Sequence, residues 1–170
     1  MGYTLLLGGA RSGKSATAQR LALQSGLSVT VVATAEARDD DMAERIRRHR
    51  ADRPSGWTTV EAPLNVLAAI RSAPGGDFLL LDCVTLWVSN LLEAGRDGED
   101  IKACAAEVAG ELAGRRGVVV TNEVGLGVIP ANELARRFVD SLGSVNACFA
   151  QRAERAVLLV AGRAVELPAS

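Results

Sequence analysis

The sequence predicts an α/β fold with a mainly parallel β-sheet, and two observations lead to this prediction. Five short segments are apolar throughout rather than alternating, as expected for parallel strands that are buried on both faces. Longer segments with helical periodicity separate these strands, and such an alternation of strand and helix is typical of a parallel sheet. The predicted strands are Tyr3–Leu7, Ser28–Thr34, Phe78–Asp82, Gly117–Asn122 and Ala156–Ala161.

The segments between the strands have the apolar spacing of amphipathic helices. A turn at Ala161-Gly162 precedes one further short strand in AGRAVELP, which we expect at an antiparallel edge of the sheet. No repeat, low-complexity tract or long linker divides the chain, so residues 1–170 are predicted to form a single domain. The predicted helices are Lys14–Gln24, Asp40–Arg50, Leu64–Ser72, Thr85–Leu92, Glu99–Arg115 and a last helix after Pro130.

Composition limits the classes of protein and of site that remain. Of the 170 residues, 48% are apolar but only 4% are aromatic, so the core must consist mainly of Leu, Val, Ile and Ala. A net charge of -1 excludes a global basic surface for nucleic acid. Three cysteines and one histidine favour free thiols in a reducing compartment over disulfides or a zinc site. No stretch resembles a signal peptide or a membrane span, so we expect a cytoplasmic protein.

The segment GGARSGKS follows the first predicted strand, opens a helix and matches the phosphate-binding pattern G-x-x-x-x-G-K-[ST]. Gly8 and Gly13 permit backbone angles that bring amides close to phosphate oxygens, and the helix N-terminus favours an anion. We expect Lys14 to reach the β- and γ-phosphates and to be catalytic. The alternative is a glycine-rich turn without a ligand. The predicted nucleotide contacts in this loop are Gly8, Gly9, Ala10, Arg11, Ser12, Gly13, Lys14 and Ser15.

An acidic residue at the end of a buried strand is the natural companion of such a loop. Asp82 ends the strand FLLLD, where its carboxylate can hold Mg²⁺ together with the hydroxyl of Ser15. A carboxylate that only caps the strand end is the alternative interpretation. The motif in its strand–helix context predicts a P-loop NTPase-like, RecA-like three-layer fold that binds a nucleoside triphosphate.

The only histidine, His49, lies among five arginines in RIRRHRADRP, residues 45–54. Acidic residues at the start of its helix and basic residues at the end suit the helix dipole, so a solvated basic face is one explanation. An anion site is the other, because Met42, Ile46 and His49 follow the i, i+4, i+7 spacing of one helix face. A neutral imidazole there could attack phosphorus while guanidinium groups stabilise the phosphates. The guanidinium groups in excess of what one exposed turn requires are Arg47, Arg48, Arg50 and Arg53.

Several segments together resemble a known family. In chain order they are GGARSGKS, ATAEARDDDMAERIRRHRADRP, Trp57–Glu61, LLLDCVTLWVSNLL and VTNEVGLGVIPANELARRFVDSLGSVNA, which together span nearly the whole chain. The sequence resembles the bifunctional adenosylcobinamide kinase / adenosylcobinamide-phosphate guanylyltransferase of cobalamin biosynthesis. The phosphate loop alone would not be specific for this family, but DDDMAERIRRHRADRP and TNEVGLGVIP are.

The resemblance implies a two-step enzyme with a corrinoid substrate, Mg²⁺ as cofactor and a homotrimeric assembly. A nucleoside triphosphate, ATP or GTP, first phosphorylates the aminopropanol hydroxyl of adenosylcobinamide. GTP then donates GMP to an enzyme histidine, and adenosylcobinamide phosphate displaces that histidine to give adenosylcobinamide-GDP. The guanylylated histidine of the family falls on His49. Beyond the phosphate loop, the family's nucleotide contacts fall on Thr34, Ala35, Glu36, Arg50, Ala51, Asp52, Arg53, Glu61 and Asp82.

Three of the polar positions admit two interpretations. Glu61 is able to accept hydrogen bonds from guanine N1–H and the exocyclic amine, but without the family it would pass for a surface glutamate. Asn122 and Glu123 could meet Mg²⁺ or the corrinoid side chain, or could belong to a helix-entry loop without chemistry. At Asp82 the family can carry Glu, and the shorter Asp changes the contact distance but not the charge.

Two other functions compete with the bifunctional one. A plain P-loop small-molecule kinase would use Lys14, Ser15 and Asp82 but would give His49 no covalent role. A nucleotide-dependent switch would need surface for a protein partner, and the sequence contains no appended domain or tail for that purpose. The segment around His49 is therefore the feature that discriminates between them.

Overall fold

The computed structural model of the chain describes residues 2–169, and within them seven strands form one sheet. The strands are β1 (Tyr3–Gly8), β2 (Val29–Ala33), β3 (Thr58–Glu61), β4 (Phe78–Asp82), β5 (Gly117–Val120), β6 (Arg155–Val160) and β7 (Arg163–Leu167). Their spatial order is β3-β2-β4-β5-β1-β6-β7. All neighbouring strands are parallel except β6 and β7, which are antiparallel. The predicted α/β class, with a mainly parallel sheet and an antiparallel edge, is thus confirmed.

Helices cover both faces of the sheet and give the molecule three layers. They are α1 (Lys14–Gln24), α2 (Asp40–Ala51), α3 (Val66–Ser72), α4 (Val84–Glu93), α5 (Gly98–Ala113) and α6 (Glu133–Arg152). The α1 helix packs on one face through Ala18 and Ala22. The four helices α3 to α6 pack on the other face, where Trp87 and Phe149 are among the largest buried side chains. The predicted three-layer arrangement is therefore confirmed.

The central strands are apolar throughout because both of their faces are covered. In β1, Leu5 and Leu7 point into the core beneath α3 to α6, whereas Leu6 points toward α1. In β4, Leu79 and Leu80 divide between the two faces in the same way. A polar residue at either kind of position would be buried without water, so the strands do not alternate between apolar and polar residues.

The strand β3, Thr58–Glu61, was not among the predicted strands. Its sequence TTVE contains a single apolar residue, and the strand is mostly exposed, so hydrophobic patterning gives no sign of it. It forms because its backbone pairs in parallel with β2, from Thr30↔Thr58 to Ala33↔Glu61. This edge position carries Glu61 to the same end of the sheet as the phosphate-binding segment that follows β1.

The carboxyl ends of six neighbouring parallel strands meet at one edge of the sheet. The segments that follow β1, β2, β4 and β5 therefore lie side by side above that edge, which is where ligand sites of open α/β sheets are found. Over residues 2–169, no helix has both the length and the apolar character needed to cross a membrane.

Candidate active site

The phosphate loop, Gly8–Ser15, connects β1 to α1 and has a backbone that only glycine allows at two positions. Gly13, with φ of 100°, precedes α1 in a left-handed conformation. A Cβ at Gly8 would lie 2.4 Å from the carbonyl oxygen of Leu159 on β6, so a side chain cannot fit there. The Gly162 N–H also donates to the Ser12 carbonyl at 3.1 Å, so β6 and its turn hold the loop from the side.

Lys14, the first residue of α1, is buried and turns back into the loop that precedes it. Its Nζ donates to the carbonyl oxygens of Gly8 at 2.8 Å and Gly9 at 2.6 Å. Burial lowers the pKa of Lys14 below its usual value; the Cys83 thiol acts in the opposite direction, and the positive charge of Arg45 lowers the pKa further. The ammonium group is thus held inside the phosphate loop by two of the loop's own carbonyl groups.

Asp82 ends β4 beside the phosphate loop and forms a salt bridge with an arginine that follows α2. Arg53 Nη2 lies 3.1 Å from Asp82 Oδ2, and the Arg53 side chain is only 9% exposed. Arg53 also donates to Thr59 Oγ1 on β3 at 3.3 Å. This buried guanidinium therefore ties the end of α2 to two strands of the sheet.

The oxygen donors near the phosphate loop fit a hard divalent cation such as Mg²⁺. The hydroxyl of Ser15 and the carboxylate of Asp82 line the same cavity, and both are ligand types that Mg²⁺ prefers. In the described part of the chain no group of three or more His, Cys, Asp and Glu side chains could hold a metal alone. Such a site would thus depend on substrate phosphate oxygens and water for its remaining ligands.

The α2 helix carries His49 and lies across the mouth of the phosphate loop. Asp39 caps its N-terminus by accepting from the Met42 N–H at 2.7 Å. None of the α2 residues is fully buried in the structure of residues 2–169, but Met42, Ile46 and His49 are half-buried on one side. This is the face that the i, i+4, i+7 spacing predicts, and it looks toward the phosphate loop.

The phosphate loop, α2 and the ends of the central strands enclose a cavity of about 460 Å³, which we call the phosphate-loop cavity. It gathers most of the site residues that the sequence predicts. Those that line it are Ala10, Arg11, Ser12, Gly13, Lys14, Ser15, Ala35, His49, Arg50, Arg53, Glu61 and Asp82. The same cavity is also lined by residues without a predicted role in nucleotide binding, among them the polar Arg45 and Asn122.

A second cavity of about 790 Å³, which we call the outer cavity, lies on the other side of the α2 helix. Glu36 and Arg47 line it. Arg50 and Glu61 form a salt bridge and line both cavities. This salt bridge therefore stands at the boundary between the phosphate-loop cavity and the outer cavity.

Five of the predicted contacts lie outside both cavities as the described residues line them. Gly8 and Gly9 lie behind Lys14 and act through their carbonyl groups. Thr34 is buried, and its Oγ1 donates to the Cys83 carbonyl at 2.7 Å, so it supports the turn after β4. Two exposed residues also stand apart at the end of the α2 helix: Ala51 and Asp52.

The arginines of residues 45–54 that line the phosphate-loop cavity are not the set that the sequence led us to expect. Arg47 and Arg48 both pair with Glu44 on the exposed side of α2, and Arg48 lines neither cavity within residues 2–169. Their guanidinium groups are therefore engaged on the helix surface and do not meet the phosphate loop. Arg45, absent from the expected set, lines the phosphate-loop cavity instead.

A buried polar network beneath the phosphate-loop cavity holds Asn122. The Asn122 N–H donates to Thr85 Oγ1 at 2.7 Å, and its carbonyl accepts from Asn146 Nδ2 at 3.0 Å. Thr121 Oγ1 donates to Asn146 Oδ1 at 2.7 Å and completes the network. Thr85 and Asn146 lie in segments that carry the family resemblance, but no chemical motif marks either residue, so only their place on the buried faces of α4 and α6 could have pointed to them. Glu123 lies outside the cavity, where its carboxylate accepts from the Gly125 N–H.

Comparison with known proteins assigns the chain to a protein family. The model of the family described as cobinamide kinase / cobinamide phosphate guanyltransferase matches residues 4–167. The bifunctional adenosylcobalamin biosynthesis protein CobP of Pseudomonas aeruginosa is 50% identical over 163 residues, covering 93% of this chain and 92% of that protein. The corresponding CobU protein of Salmonella typhimurium is 38% identical, covering 96% of this chain and 98% of that protein.

Among solved structures, the RadB recombinase superposes with a TM-score of 0.53 at 14% sequence identity. The match covers 92% of this chain and 73% of that chain. At this identity the likeness concerns the fold alone, and it agrees with the predicted RecA-like architecture.

Proposed function

The chain belongs to the cobinamide kinase / cobinamide phosphate guanyltransferase family, and from that premise we propose which residues perform each of its two reactions. The enzyme phosphorylates cobinamide and transfers a guanylyl group to cobinamide phosphate. The observation that carries the assignment is that His49 lines the same cavity as Lys14 and Ser15 of the phosphate loop. A single triphosphate-binding site would thus serve both reactions, and we propose that residues 1–170 act as one domain.

In the kinase step, we propose that the phosphate loop holds the β- and γ-phosphates of ATP or GTP. The hydroxyl oxygen of adenosylcobinamide forms a bond to the γ-phosphorus and gives up its proton to solvent. The bond from that phosphorus to the β–γ bridging oxygen breaks, releasing the nucleoside diphosphate. Lys14 stabilises the charge on the transferring group through its ammonium hydrogen bonds. Its present partners, the carbonyls of Gly8 and Gly9, keep it aimed into the loop.

In the guanylyl step, we propose that an imidazole nitrogen of His49 attacks the α-phosphorus of GTP. The bond from the α-phosphorus to the α–β bridging oxygen breaks, and pyrophosphate leaves with the electron pair. A phosphate oxygen of adenosylcobinamide phosphate then displaces His49 and takes the GMP group. Splitting one displacement into two through a covalent intermediate is the usual benefit of a nucleophilic side chain.

We propose Ser15 and Asp82 as the protein ligands of Mg²⁺. When bound, Mg²⁺ neutralises phosphate charge and orients the phosphates for in-line displacement. Arg53 pairs with one oxygen of Asp82, so this carboxylate would exchange one cation for another on binding Mg²⁺. Arg53 would then be able to donate to phosphate oxygens, which are acceptors of the same charge.

For base recognition, we propose Glu61, supported by its place at the boundary of the two cavities. Its carboxylate would accept from guanine N1–H and the exocyclic amine, a pair of donors that adenine lacks. Arg50, now paired with Glu61, would turn to the nucleotide when guanine takes its place. Ala35 and Glu36, which follow β2 and line these cavities, would border the nucleoside, and the buried Thr34 would support this segment.

We propose a homotrimer as the assembly. The support is a group of large apolar side chains left exposed on the segment between β5 and α6 and in the first turn of α6, which a monomer would leave in water. They are Leu126, Val128, Ile129 and Leu134. The concentration dependence of the mass measured in solution tests this proposal directly.

The two assigned reactions can be separated with two labels and one variant. With α-labelled GTP and Mg²⁺, the intact enzyme should retain an acid-labile, base-stable label after denaturation, and His49→Ala should retain none. With γ-labelled ATP or GTP, His49→Ala should still phosphorylate adenosylcobinamide, because the kinase step does not use the imidazole. If His49→Ala retained as much α-label after denaturation as the intact enzyme, the assignment of His49 as the nucleophile would be overturned.

A further inference from the structure

Arg45 differs from the other arginines of residues 45–54 in having no acidic partner. Two of the others pair with Glu44, one with Glu61 and one with Asp82. Within residues 2–169, Arg45 forms neither a salt bridge nor a side-chain hydrogen bond. Its guanidinium therefore carries a full set of unused donors.

The position of Arg45 on α2 excludes the usual explanation for a basic residue on a helix. The favourable interaction of cations with the helix dipole is confined to the last turn. In α2 that turn contains Arg48, His49 and Arg50, whereas Arg45 lies in the middle of the helix. Neither the helix dipole nor a salt bridge thus accounts for this exposed cation, which lines the phosphate-loop cavity.

Arg45 lines the phosphate-loop cavity, and its charge acts on Lys14. Both residues border the same space, and the positive charge of Arg45 is one of the causes that lower the pKa of Lys14. Two cations that face one cavity repel each other unless an anion lies between them. A polyphosphate placed at the loop would supply that anion and would turn the repulsion into two attractions.

Arg45 and His49 are four residues apart, so their side chains are neighbours on one face of α2, with Cβ atoms roughly 5–6 Å apart. Both line the phosphate-loop cavity. If the imidazole reaches one phosphate of a triphosphate, the guanidinium is within reach of the next phosphate along the chain. The direction is set by the loop, because Lys14 lies at the β,γ end.

We propose that Arg45 binds the departing pyrophosphate in the guanylyl step, an inference that rests on the proposed role of His49. As the bond from His49 to the α-phosphorus forms, the bond to the α–β bridging oxygen breaks and its electron pair goes to pyrophosphate. Arg45 donates N–H groups to that oxygen and to the β-phosphate while negative charge develops on them. Arg45 is thereby a further catalytic residue, specific to the half-reaction in which pyrophosphate is present.

The two half-reactions provide the test. In Arg45→Gln, the guanylylation of the enzyme by GTP should slow by about 10²-fold, the usual loss for one donor to a developing oxyanion. The guanylylated variant, accumulated over a long incubation with pyrophosphatase, should transfer GMP to adenosylcobinamide phosphate at the rate of the intact enzyme, because no pyrophosphate takes part. Arg45→Lys should recover part of the first rate. Equal slowing of both half-reactions, or an unchanged first rate, would overturn the proposal.

Arg48→Gln is the matched control. It removes a guanidinium from the same helix, and Glu44 keeps Arg47 as a partner. Both of its half-reactions should proceed at the rates of the intact enzyme.

Pyrophosphate binding separates a failure of this proposal from a failure of the proposed function. The dissociation constant of pyrophosphate, measured calorimetrically on the unmodified enzyme, should rise about tenfold in Arg45→Gln and stay unchanged in Arg48→Gln. This holds whether or not a histidine becomes guanylylated. Absence of a guanylylated histidine in the intact enzyme would sink the role of His49, whereas equal pyrophosphate affinity in Arg45→Gln would sink the role of Arg45.

Discussion

The phosphate loop and α2 face each other across one cavity, but they are held in very different ways. The loop follows a buried strand, and its lysine is hydrogen-bonded to two carbonyls. The α1 helix that it opens packs into the core. The α2 helix contributes only half-buried side chains, and most of its salt bridges join exposed groups. The proposed phosphate contacts thus lie on a well-anchored part of the fold, and the proposed nucleophile lies on a weakly anchored part.

This difference suits the proposed mechanism, in which two reactions use one triphosphate site. In that mechanism, recognition of the β- and γ-phosphates is common to both steps and benefits from a fixed frame. The proposed kinase step needs no imidazole at the α-phosphorus, whereas the proposed guanylyl step does. A helix held by salt bridges that the nucleotide itself can replace is able to change position between the two, as elements of low local stability do.

The largest expected effect is on amide hydrogen exchange. Amides of β1 should exchange only by global unfolding, whereas amides of α2 should exchange by local opening, faster by roughly 10³-fold or more. Binding of GTP with Mg²⁺ should protect α2 and leave β1 unchanged. Exchange of both segments at one slow rate would remove the contrast between them.

Replacement of the loop lysine is the next largest change. Lys14→Met should reduce both the kinase and the guanylyl reaction by at least 10²-fold, because one donor to the phosphates is lost in each. Steady-state rates of the two reactions measure this, and Lys102→Met, at an exposed site on α5, is the control. A variant that lost only one reaction would mean that the loop does not serve both.

The reactivity of the Cys83 thiol, which lines the phosphate-loop cavity beside the end of β4, should depend on pH. Burial, reinforced by the carboxylate of Asp82, raises the pKa of Cys83 to about 11. Because the folded state favours the protonated thiol, the reactive thiolate forms only as pH rises toward that value. Alkylation of Cys83 by iodoacetamide at pH 8 should be about 100-fold slower than that of a thiol of ordinary pKa. Mass spectrometry of the modified peptide measures the rate, and rapid alkylation would contradict this account.

The smallest effect concerns the two helix caps. Asp39 caps α2 and Asp97 caps α5, each by accepting from a backbone N–H three residues on. Loss of either cap should cost about 1 kcal/mol of helix stability. Because α5 is packed in the core, Asp97→Ala should lower the global free energy of unfolding by that amount. Asp39→Ala should leave the global free energy of unfolding unchanged and speed only the amide hydrogen exchange of α2. Equal shifts of the denaturant midpoint in both variants would show instead that α2 unfolds together with the core.

Sequence reasoning succeeded where a local pattern determines the structure. The loop motif, the apolar strands and the spacing of Met42, Ile46 and His49 each depend on residues close together in the chain. Helical periodicity was enough to assign a face to His49, because a helix turns by the same angle at every residue. The strand β3 was missed because its pairing with β2, and not its own composition, makes it a strand.

The distribution of the arginines could not be predicted in the same way. The positions of Glu44, Glu61 and Asp82 in space determine which guanidinium group forms a salt bridge and which stays unpaired. Glu61 and Asp82 lie on strands that are distant from α2 in the sequence. Periodicity identifies neighbours on the helix but not those across the cavity. For this reason the expected set included Arg48, which is engaged on the surface, and omitted Arg45.

The central claim is that His49 attacks the α-phosphorus of GTP. The most direct test is the distance from His49 to that phosphorus in a crystal structure with Mg²⁺ and a GTP analogue that cannot be cleaved between the α- and β-phosphates. The account predicts an imidazole nitrogen about 3–3.5 Å from that phosphorus, in line with the bridging oxygen. The backbone of the phosphate loop should superpose on the present one while α2 has moved. A nucleotide bound in the loop with His49 directed away from it, and another side chain in line with the α-phosphorus, would contradict the account.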